Sequence, residues 1–363
     1  MDPKAQKELI ELFRDAIQVG GAAIEMRVRR FTSLVRQSDE ALAAAVMPMV
    51  TGTAMRRHDT SSAPPVDSDT KLPLVRFESP DQPAAEPVLS PEATVAVTRL
   101  LKERESADKL TAAGLVPIRS VLMSGPPGVG KTMTARWLAR QLHLPLYTLD
   151  LASVMSSFLG RTGANVRAVL EHAQREPCVL LLDEFDAIAK RRDDDSDVGE
   201  LKRLVTVILQ TIDDWTPMSL LVAATNHGEL LDPAVWRRFD MRMNFELPSP
   251  ALISLAFQAK GVERAMADLL AKLFAGQSMS AVARVVDASR KEHVLHGVKF
   301  EQALVNAAME ASQQHGMAVK VLRSAGRDLQ VLLHQAQGMP AREIADAIGV
   351  SHTTVLRSIK SNA

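Results

Sequence analysis

The sequence predicts an α/β domain built on a five-stranded parallel sheet and followed by an all-helical region. Short apolar or β-branched runs alternate with helical sequence up to residue 247, a pattern typical of parallel sheets that are covered by helices on both faces. After Pro248 no strand pattern returns, and residues 251–361 have the apolar spacing of helices. The predicted strands are SVLMS (120–124), LYTLD (146–150), CVLLLD (178–183), LLVAA (220–224) and MRMNFEL (241–247).

Composition and charge exclude several classes of protein. The 363 residues contain 43 Lys plus Arg and 43 Asp plus Glu, so no overall field attracts nucleic acid or anionic lipid. No run approaches the roughly 18 apolar residues of a membrane helix, and the N-terminus lacks the apolar centre of a signal peptide. The single cysteine, Cys178, excludes an intramolecular disulfide and a Cys-cluster metal site, which favours a cytoplasmic location.

Changes in composition along the chain predict five segments. Apolar residues at helical spacing indicate a helical N-terminal segment, and seven prolines between residues 57 and 91 indicate a linker. Within that linker, residues 74–77 have the apolar character of an ordered stretch. The predicted segments are 1–62 (helical), 63–91 (proline-rich linker), 92–247 (large α/β domain), 248–316 (second, helical domain) and 317–363 (helix-turn-helix).

The stretch SGPPGVGKT (124–132) matches the phosphate-binding pattern G-x-x-x-x-G-K-[ST] and stands between a predicted strand and a predicted helix. Its glycines allow backbone amides to converge on phosphate oxygens, and the helix adds its positive dipole end. We expect Lys131 to neutralise the outer phosphates and Thr132 to hold Mg²⁺ through its hydroxyl. The predicted nucleotide contacts are Gly125, Pro126, Pro127, Gly128, Val129, Gly130, Lys131, Thr132 and Met133.

The stretch VLLLDEFDAIA (179–189) predicts the second half of this site. A buried strand that ends in two carboxylates places Asp183 at the carboxyl edge of the sheet, beside the phosphate loop. We expect Asp183 to contribute to the Mg²⁺ site and Glu184 to polarise the attacking water. An acidic pair after a strand is also a common helix cap, but its position about 50 residues after the phosphate loop favours the catalytic interpretation.

These motifs resemble those of the AAA+ ATPases, in particular the group that includes FtsH, spastin and katanin, over about residues 92–310. A third stretch, AATNHGELLDPAVWRRFD (223–240), is similar to the family's sensor and arginine-finger segment. The resemblance implies that ATP is the nucleotide and that Asn226 holds the hydrolytic water. It also implies that Arg237 and Arg238 reach the ATP site of a neighbouring subunit, which requires a ring and usually a hexamer. The alternative is that the two arginines form a solvated basic turn.

The stretch LFAGQSMSAV (273–282) resembles a turn in the lid domain of this family, where backbone packs against the adenine. Gly276 and Ser278 agree with the family's pattern, so the resemblance implies that they lie near the base. Met279 and Ser280 stand where smaller residues are usual, and they leave the fit of the base open.

The stretch SSFLGR (156–161) stands where this family has an aromatic pore loop. The resemblance implies that Phe158, Leu159 and Gly160 grip an extended polypeptide without reading its sequence; the alternative is that Phe158 packs in the core at a helix end. The acidic run RRDDDSDVGELKR (191–203) stands at the second pore loop, where its carboxylates would repel a nucleic-acid backbone. A polypeptide is therefore the favoured substrate.

The stretch GMPAREIADAIGVSHTTVLRSIK (338–360) resembles the helix-turn-helix of resolvases and many bacterial regulators. Gly349 would supply the turn, and the resemblance implies that His352, Thr353 and Arg357 point toward DNA. Residues 316–363 carry six Lys or Arg against three Asp or Glu, which is only a mild positive excess. Docking of a protein and bracing of an oligomer remain alternatives for these helices.

Together these features predict a cytoplasmic ATP hydrolase that works as a homo-oligomeric ring, with Mg²⁺ at each site, to remodel or translocate a protein substrate or partner. Neither H-E-x-x-H nor G-x-S-x-G occurs in the chain, so any proteolysis would need a separate protease. The alternative is a DNA-associated ATPase of the transposition, replication or partition type, targeted by its helix-turn-helix. A nucleotide-gated scaffold with little turnover is a third possibility.

Overall fold

The structure is a computed structural model that describes residues 65–66, 73–152, 162–189, 198–314, 319–336 and 338–362. The chain divides into two compact units, Met1–Pro64 and Pro65–Ala363, and all of the described residues belong to the second. The predicted N-terminal helical segment (1–62), the predicted pore loop (158–160) and the acidic run 191–197 lie outside the described residues.

A six-stranded sheet organises the first half of the described chain, with strand order β1-β3-β4-β5-β2-β6. Strands β2 to β6 run parallel, and only β1 is antiparallel to its neighbour β3. The strands are β1 (Arg76–Glu78), β2 (Ser120–Ser124), β3 (Leu146–Asp150), β4 (Val179–Asp183), β5 (Leu220–Thr225) and β6 (Met241–Asn244).

The predicted α/β class is confirmed, and each predicted parallel strand is present. Strand β6 ends at Asn244, earlier than predicted. Strand β1 is an addition at the edge of the sheet, within the predicted linker. It has only three residues and leaves Phe77 about half exposed, so its sequence has no alternation that could have revealed it. Glu78 at its end pairs with Arg136, both carboxylate oxygens lying 3.0 Å from Nε.

Helices cover both faces of the sheet, because alternate residues of the inner strands point to opposite sides. In β4, Leu180 and Leu182 join one core, while Val179 and Leu181 join the other. The first core is closed by α4 and α6, and the second by α1 and α3. The helices of this region are α1 (Pro91–Glu105), α2 (Ala107–Ala112), α3 (Lys131–Gln141), α4 (Thr162–Arg175), α5 (Asp186–Ala189), α6 (Val198–Asp213) and α7 (Pro233–Trp236).

The second half of the described chain is helical and has its own core. Phe257 and Phe274 meet edge to face with ring centroids 5.5 Å apart, and Leu329 and Leu333 of α12 complete that core. Among the described residues, no helix is long and apolar enough to cross a membrane. The helices are α8 (Pro250–Ala259), α9 (Arg264–Leu273), α10 (Met279–His296), α11 (Phe300–Gln314), α12 (Val319–Ala336), α13 (Ala341–Ile348) and α14 (His352–Asn362).

The last two helices pack on α12 through a small apolar cluster. Gly349 takes a left-handed conformation (φ 68°) between them, and the hydroxyl of Ser351 accepts a hydrogen bond from the Thr354 amide at 3.3 Å. Within α14, the Ser358 hydroxyl donates a hydrogen bond to Asp328 of α12 at 2.8 Å. The cluster consists of Val331, Ile344, Ala345 and Val355, with Met339, Ala341, Ile348, Val350 and Ile359 packed against it.

Arg104, near the end of α1, connects this helix to the residues just before β2 and β5. Its guanidinium donates to the carbonyls of Pro217 (2.9 Å), Met218 (3.1 Å), Ser219 (3.1 Å) and Ile118 (3.4 Å). Burial lowers the pKa of the Arg104 guanidinium from its ordinary value. The segments that lead into β2 and β5 are therefore held by one cation.

Replacement of this cation tests its structural role. Arg104→Met should lower the free energy of unfolding by about 2–3 kcal/mol, because charge-assisted hydrogen bonds to several carbonyls are lost together. Arg99 on the same helix pairs with Glu103 and is 69% exposed, so Arg99→Met should cost no more than about 0.5 kcal/mol. Urea unfolding followed by circular dichroism measures both variants. Equal losses would contradict the role assigned to Arg104.

Candidate nucleotide-binding site

The predicted phosphate loop connects β2 to α3. Three of its glycines have positive φ: Gly125 (146°), Gly128 (77°) and Gly130 (107°). A Cβ on Gly125 would collide with the carbonyl oxygen of Phe245, and one on Gly128 would collide with the hydroxyl of Ser280. The loop therefore needs glycine for its backbone conformation and for the close approach of two other segments.

Lys131 is the first residue of α3 and is 7% exposed. Its ammonium donates to the carbonyls of Gly125 (2.6 Å) and Pro126 (2.9 Å) and to Oδ1 of Asn226 (2.8 Å). Loss of solvation lowers the pKa of Lys131, and two nearby carboxylates, Asp183 and Asp186, oppose that shift. The structure thus brings the predicted lysine and the predicted sensor asparagine into direct contact.

The hydroxyl of Thr132 donates to Oδ2 of Asp183 at 3.1 Å, joining the two predicted Mg²⁺ ligands. The described residues contain no group of three or more His, Cys, Asp or Glu side chains that would hold a metal by themselves. Mg²⁺ commonly takes one or two protein oxygens and completes its shell with phosphate and water. A hydroxyl and one carboxylate beside a phosphate loop fit that requirement.

Glu184 follows Asp183 with a left-handed backbone (φ 53°), which is uncommon for a residue other than glycine. Its amide donates to Oδ1 of Asp183 at 3.0 Å, and its side chain is exposed. Loss of solvation raises the pKa of Glu184, and repulsion from Asp150, Asp183 and Asp186 raises it further. Such a carboxylate accepts a proton more readily than an ordinary glutamate.

Asp186 is a member of the site that the sequence reasoning missed. Its carboxylate accepts hydrogen bonds from the hydroxyl of Thr225 (2.8 Å) and from the amide of Asn226 (3.2 Å). It stands at the start of α5, three residues after Asp183 in the sequence DEFD, and this spacing was the available signal. Asp186 sets the position of Asn226 relative to the acidic pair.

The lid turn lies against the phosphate loop. The amide of Ser280 donates to the carbonyl of Gly128 at 2.9 Å, and the hydroxyls of Ser278 and Ser280 lie 2.9 Å apart. Gly276 has φ 80°, which turns the chain into α10. A cavity of about 610 Å³ opens beside these contacts, lined among others by Leu89, Val129, Phe245 and Met279. Its lining combines these apolar side chains with polar ones such as Glu92 and Asn244.

The two predicted arginine fingers differ in their surroundings. Arg237 directly follows α7 and is exposed, whereas Arg238 is partly buried and forms an ion pair with Asp213. Within the described residues, neither arginine donates a hydrogen bond to the phosphate loop. The site of one chain therefore contains the predicted loop, acidic pair and asparagine, but not the predicted fingers.

The predicted DNA contacts lie on one exposed side of α14. His352, Thr353 and Arg357 are all exposed, while Val355 and Ser358 face the helices beneath. The predicted pore loop, Phe158 to Gly160, lies outside the described residues.

Part of this chain is similar to known proteins. The family model described as "ATPase family associated with various cellular activities (AAA)" matches residues 121–247. An uncharacterized AAA family ATPase, y4kL of Sinorhizobium fredii, is 44% identical over 161 residues, which are 44% of this chain and 49% of that protein. The ATP-dependent zinc metalloprotease FtsH of Acidothermus cellulolyticus is 36% identical over 154 residues, 40% of this chain and 23% of FtsH. This chain thus matches less than half of the length of either relative.

Solved structures show the same fold. The crystal structure of the FIGL-1 AAA domain aligns with a TM-score of 0.54 at 21% identity and covers 69% of this chain and 89% of that domain. A second structure of that domain contains ADP. Since the identity is low, this likeness concerns the fold alone.

Proposed function

We propose that this chain, which carries an AAA domain over residues 121–247, binds ATP with Mg²⁺ and hydrolyses it in a cytoplasmic homo-oligomeric ring. The ring, most simply a hexamer, uses this energy to remodel or translocate a protein substrate or partner. One observation carries the proposal. At one edge of the sheet, Lys131 donates a hydrogen bond to Asn226, and Thr132 donates one to Asp183.

Each of these groups supports one part of the reaction. Amides of the phosphate loop and the ammonium of Lys131 bind the phosphate oxygens of ATP. Thr132 and Asp183 would hold Mg²⁺, which neutralises charge on the phosphates when it is bound. The adenine would occupy the cavity between Val129 and Met279. The lid turn, with Gly276 and Ser278, would close over the nucleotide.

Hydrolysis needs a base, an oriented water and a counter-charge for the transition state. In the proposed step, Glu184 takes a proton from the water while Asn226 orients it. The water oxygen bonds to the γ-phosphorus, the bond from that phosphorus to the bridging oxygen breaks, and ADP leaves with the electron pair. An arginine from a neighbouring copy would stabilise the charge of this transition state, which makes the rate depend on assembly.

The inference of a protein substrate rests on two features of the sequence and on one similarity. The sequence has an aromatic and an aliphatic residue, Phe158 and Leu159, before Gly160, and such side chains suit contact with a passing polypeptide, while the acidic run 191–197 disfavours a polyanion. FtsH, whose AAA region is similar to this one, acts on proteins according to its name.

Removal of the proposed base tests the hydrolysis mechanism. Glu184→Gln should keep nucleotide affinity close to wild type and lower the rate of ATP hydrolysis by roughly 10²-fold or more, because the amide cannot accept the proton. Glu171 is an exposed glutamate on α4, and Glu171→Gln serves as the matched control with an unchanged rate. Phosphate release and binding of a fluorescent ADP analogue are the two measurements. Normal hydrolysis by Glu184→Gln would refute the assignment of the base.

Substitution of Phe158 in the predicted pore loop tests the proposed action on protein substrates. An unfolded model protein such as casein should accelerate ATP hydrolysis by the wild-type ring. Phe158→Ala should lose most of this acceleration, and Phe158→Tyr should keep it because an aromatic ring remains available for contact. Full acceleration in the alanine variant would contradict threading by this loop.

A DNA-associated ATPase is the second candidate, favoured by the exposed side of α14. His352, Thr353 and Arg357 share that side, and the bond between Ser358 and Asp328 holds the opposite side on α12. Several copies in a ring would add avidity to weak single contacts. In this candidate the tail would bring the ring to DNA, where the ATPase acts.

Salt-dependent binding separates this candidate from a purely protein-directed role. The intact protein should bind a fluorescent mixed-sequence DNA duplex more weakly as the salt concentration rises. Arg357→Ala should lower the slope of log affinity against log salt concentration by the amount expected for about one lost phosphate contact per bound α14. Lys272→Ala, on the exposed surface of α9, should change neither affinity nor slope. Fluorescence anisotropy at several salt concentrations gives both quantities. No salt-dependent binding by the intact protein would exclude the DNA role.

A further inference from the structure

All three hydrogen-bond donors of the Lys131 ammonium are used within the chain. An ammonium carries three N–H donors and no acceptor. Nζ of Lys131 lies 2.6 Å from the carbonyl oxygen of Gly125, 2.9 Å from that of Pro126 and 2.8 Å from Oδ1 of Asn226. Lys131 is 7% exposed, so water has little access to this group. A phosphate oxygen can therefore bind Lys131 only when one of these acceptors leaves it.

Asn226 is the acceptor that can leave Lys131 with the least rearrangement. The other two acceptors are backbone carbonyls of the phosphate loop, and their movement would distort the loop that binds the phosphates. Gly125 also lies so close to the carbonyl oxygen of Phe245 that a Cβ would collide with it, which leaves this part of the loop little room. The acceptor of Asn226 is a side-chain oxygen, which rotation of the side chain alone can withdraw.

The backbone at Asn226 is fixed, so its side-chain oxygen starts from a defined place beside the ammonium. The amide of Asn226 and the hydroxyl of Thr225 both donate to Asp186, at 3.2 and 2.8 Å. The amide of Phe185 donates to the carbonyl of Ala224 at 2.9 Å. Three hydrogen bonds thus attach the end of β5 to the start of α5. An acceptor held in this way competes for the ammonium without a further loss of backbone entropy.

We propose that Asn226 competes with the nucleotide for Lys131 and thereby speeds the release of ADP. This inference rests on the proposed ATPase activity and concerns the regulation of the same site. While phosphate oxygens hold Lys131, the side-chain oxygen of Asn226 is available to accept a hydrogen bond from the attacking water. After the γ-phosphate has left, Asn226 returns to Lys131 and replaces the β-phosphate of ADP.

This exchange links two steps of the cycle through one side chain. The oxygen of Asn226 can serve either the water or Lys131, so the water is oriented only while the nucleotide occupies the lysine. Product release limits the turnover of many enzymes, and an internal competitor for the phosphate lowers that barrier. Asn226 therefore weakens the binding of ADP, although it belongs to the nucleotide site.

Removal of the competing oxygen should slow the release of ADP. Asn226→Ala should lower both the Kd and the dissociation rate of a fluorescent ADP analogue by roughly 5- to 10-fold, because the phosphate then displaces only water from Lys131. Stopped-flow displacement of the analogue by excess ADP gives the rate, and fluorescence anisotropy gives the Kd. The kcat for ATP should fall in the same variant, since the attacking water loses its orientation.

Three further variants separate this effect from a general disturbance of the site. Glu184→Gln loses the proposed base without touching Lys131, so hydrolysis should fall while ADP release stays close to wild type. Asn226→Asp should weaken ADP binding and speed its release, because a carboxylate holds the ammonium more strongly and repels phosphate. Asn306→Ala removes an exposed amide side chain on α11 and should change neither quantity. Thermal unfolding shows whether each variant is folded.

One result would overturn this proposal. If folded Asn226→Ala releases ADP as fast as the wild type or faster, Asn226 does not compete with the nucleotide for Lys131. Failure of the proposed ATPase looks different, because the wild-type protein would then bind ADP but release no phosphate from ATP. The two failures are distinguishable, since ADP release is measured without hydrolysis.

Discussion

The parallel register of the central strands is the constraint on which the site depends. Leu122 of β2 lies opposite Ala223 of β5, and β5 in turn pairs with β4, so the carboxyl ends of these strands meet at one edge. Three functional segments leave the sheet at that edge, carrying Lys131, Asp183 and Asn226. A slip of the register by one residue would exchange the buried side chains between the two cores and separate the three groups. The apolar burial that stabilises the sheet therefore also sets the distances of the site.

The nucleotide site also depends on the helical half of the chain. The amide of Ser280 holds the carbonyl of Gly128, so the lid turn and the phosphate loop move together unless this hydrogen bond opens. The lid turn is thus attached to the phosphate loop by a backbone contact, which is possible because Gly128 has no Cβ.

Between Asn226 and Arg238, some groups are bonded to a carboxylate of the same chain, while others are exposed to solvent. Asp186 fixes the amide of Asn226, and Asp213 fixes Arg238, while Arg237 between them stays exposed. The carboxylates of Asp186 in α5 and Asp213 in α6 thus orient groups that follow β5 and α7.

Sequence alone was sufficient for the inner strands, and it predicted the phosphate loop and the acidic pair. These features are written in consecutive residues, as in SVLMS for β2 or GPPGVGKT for the loop, and the apolar pattern or the glycine spacing is the physical requirement itself. Four contacts needed the folded chain: β1 with β3, Ser280 with Gly128, Asp186 with Asn226, and Asp213 with Arg238. Each joins residues between 25 and about 150 positions apart. A side chain with several chemically equivalent partners in the sequence acquires one of them only when packing brings the two together.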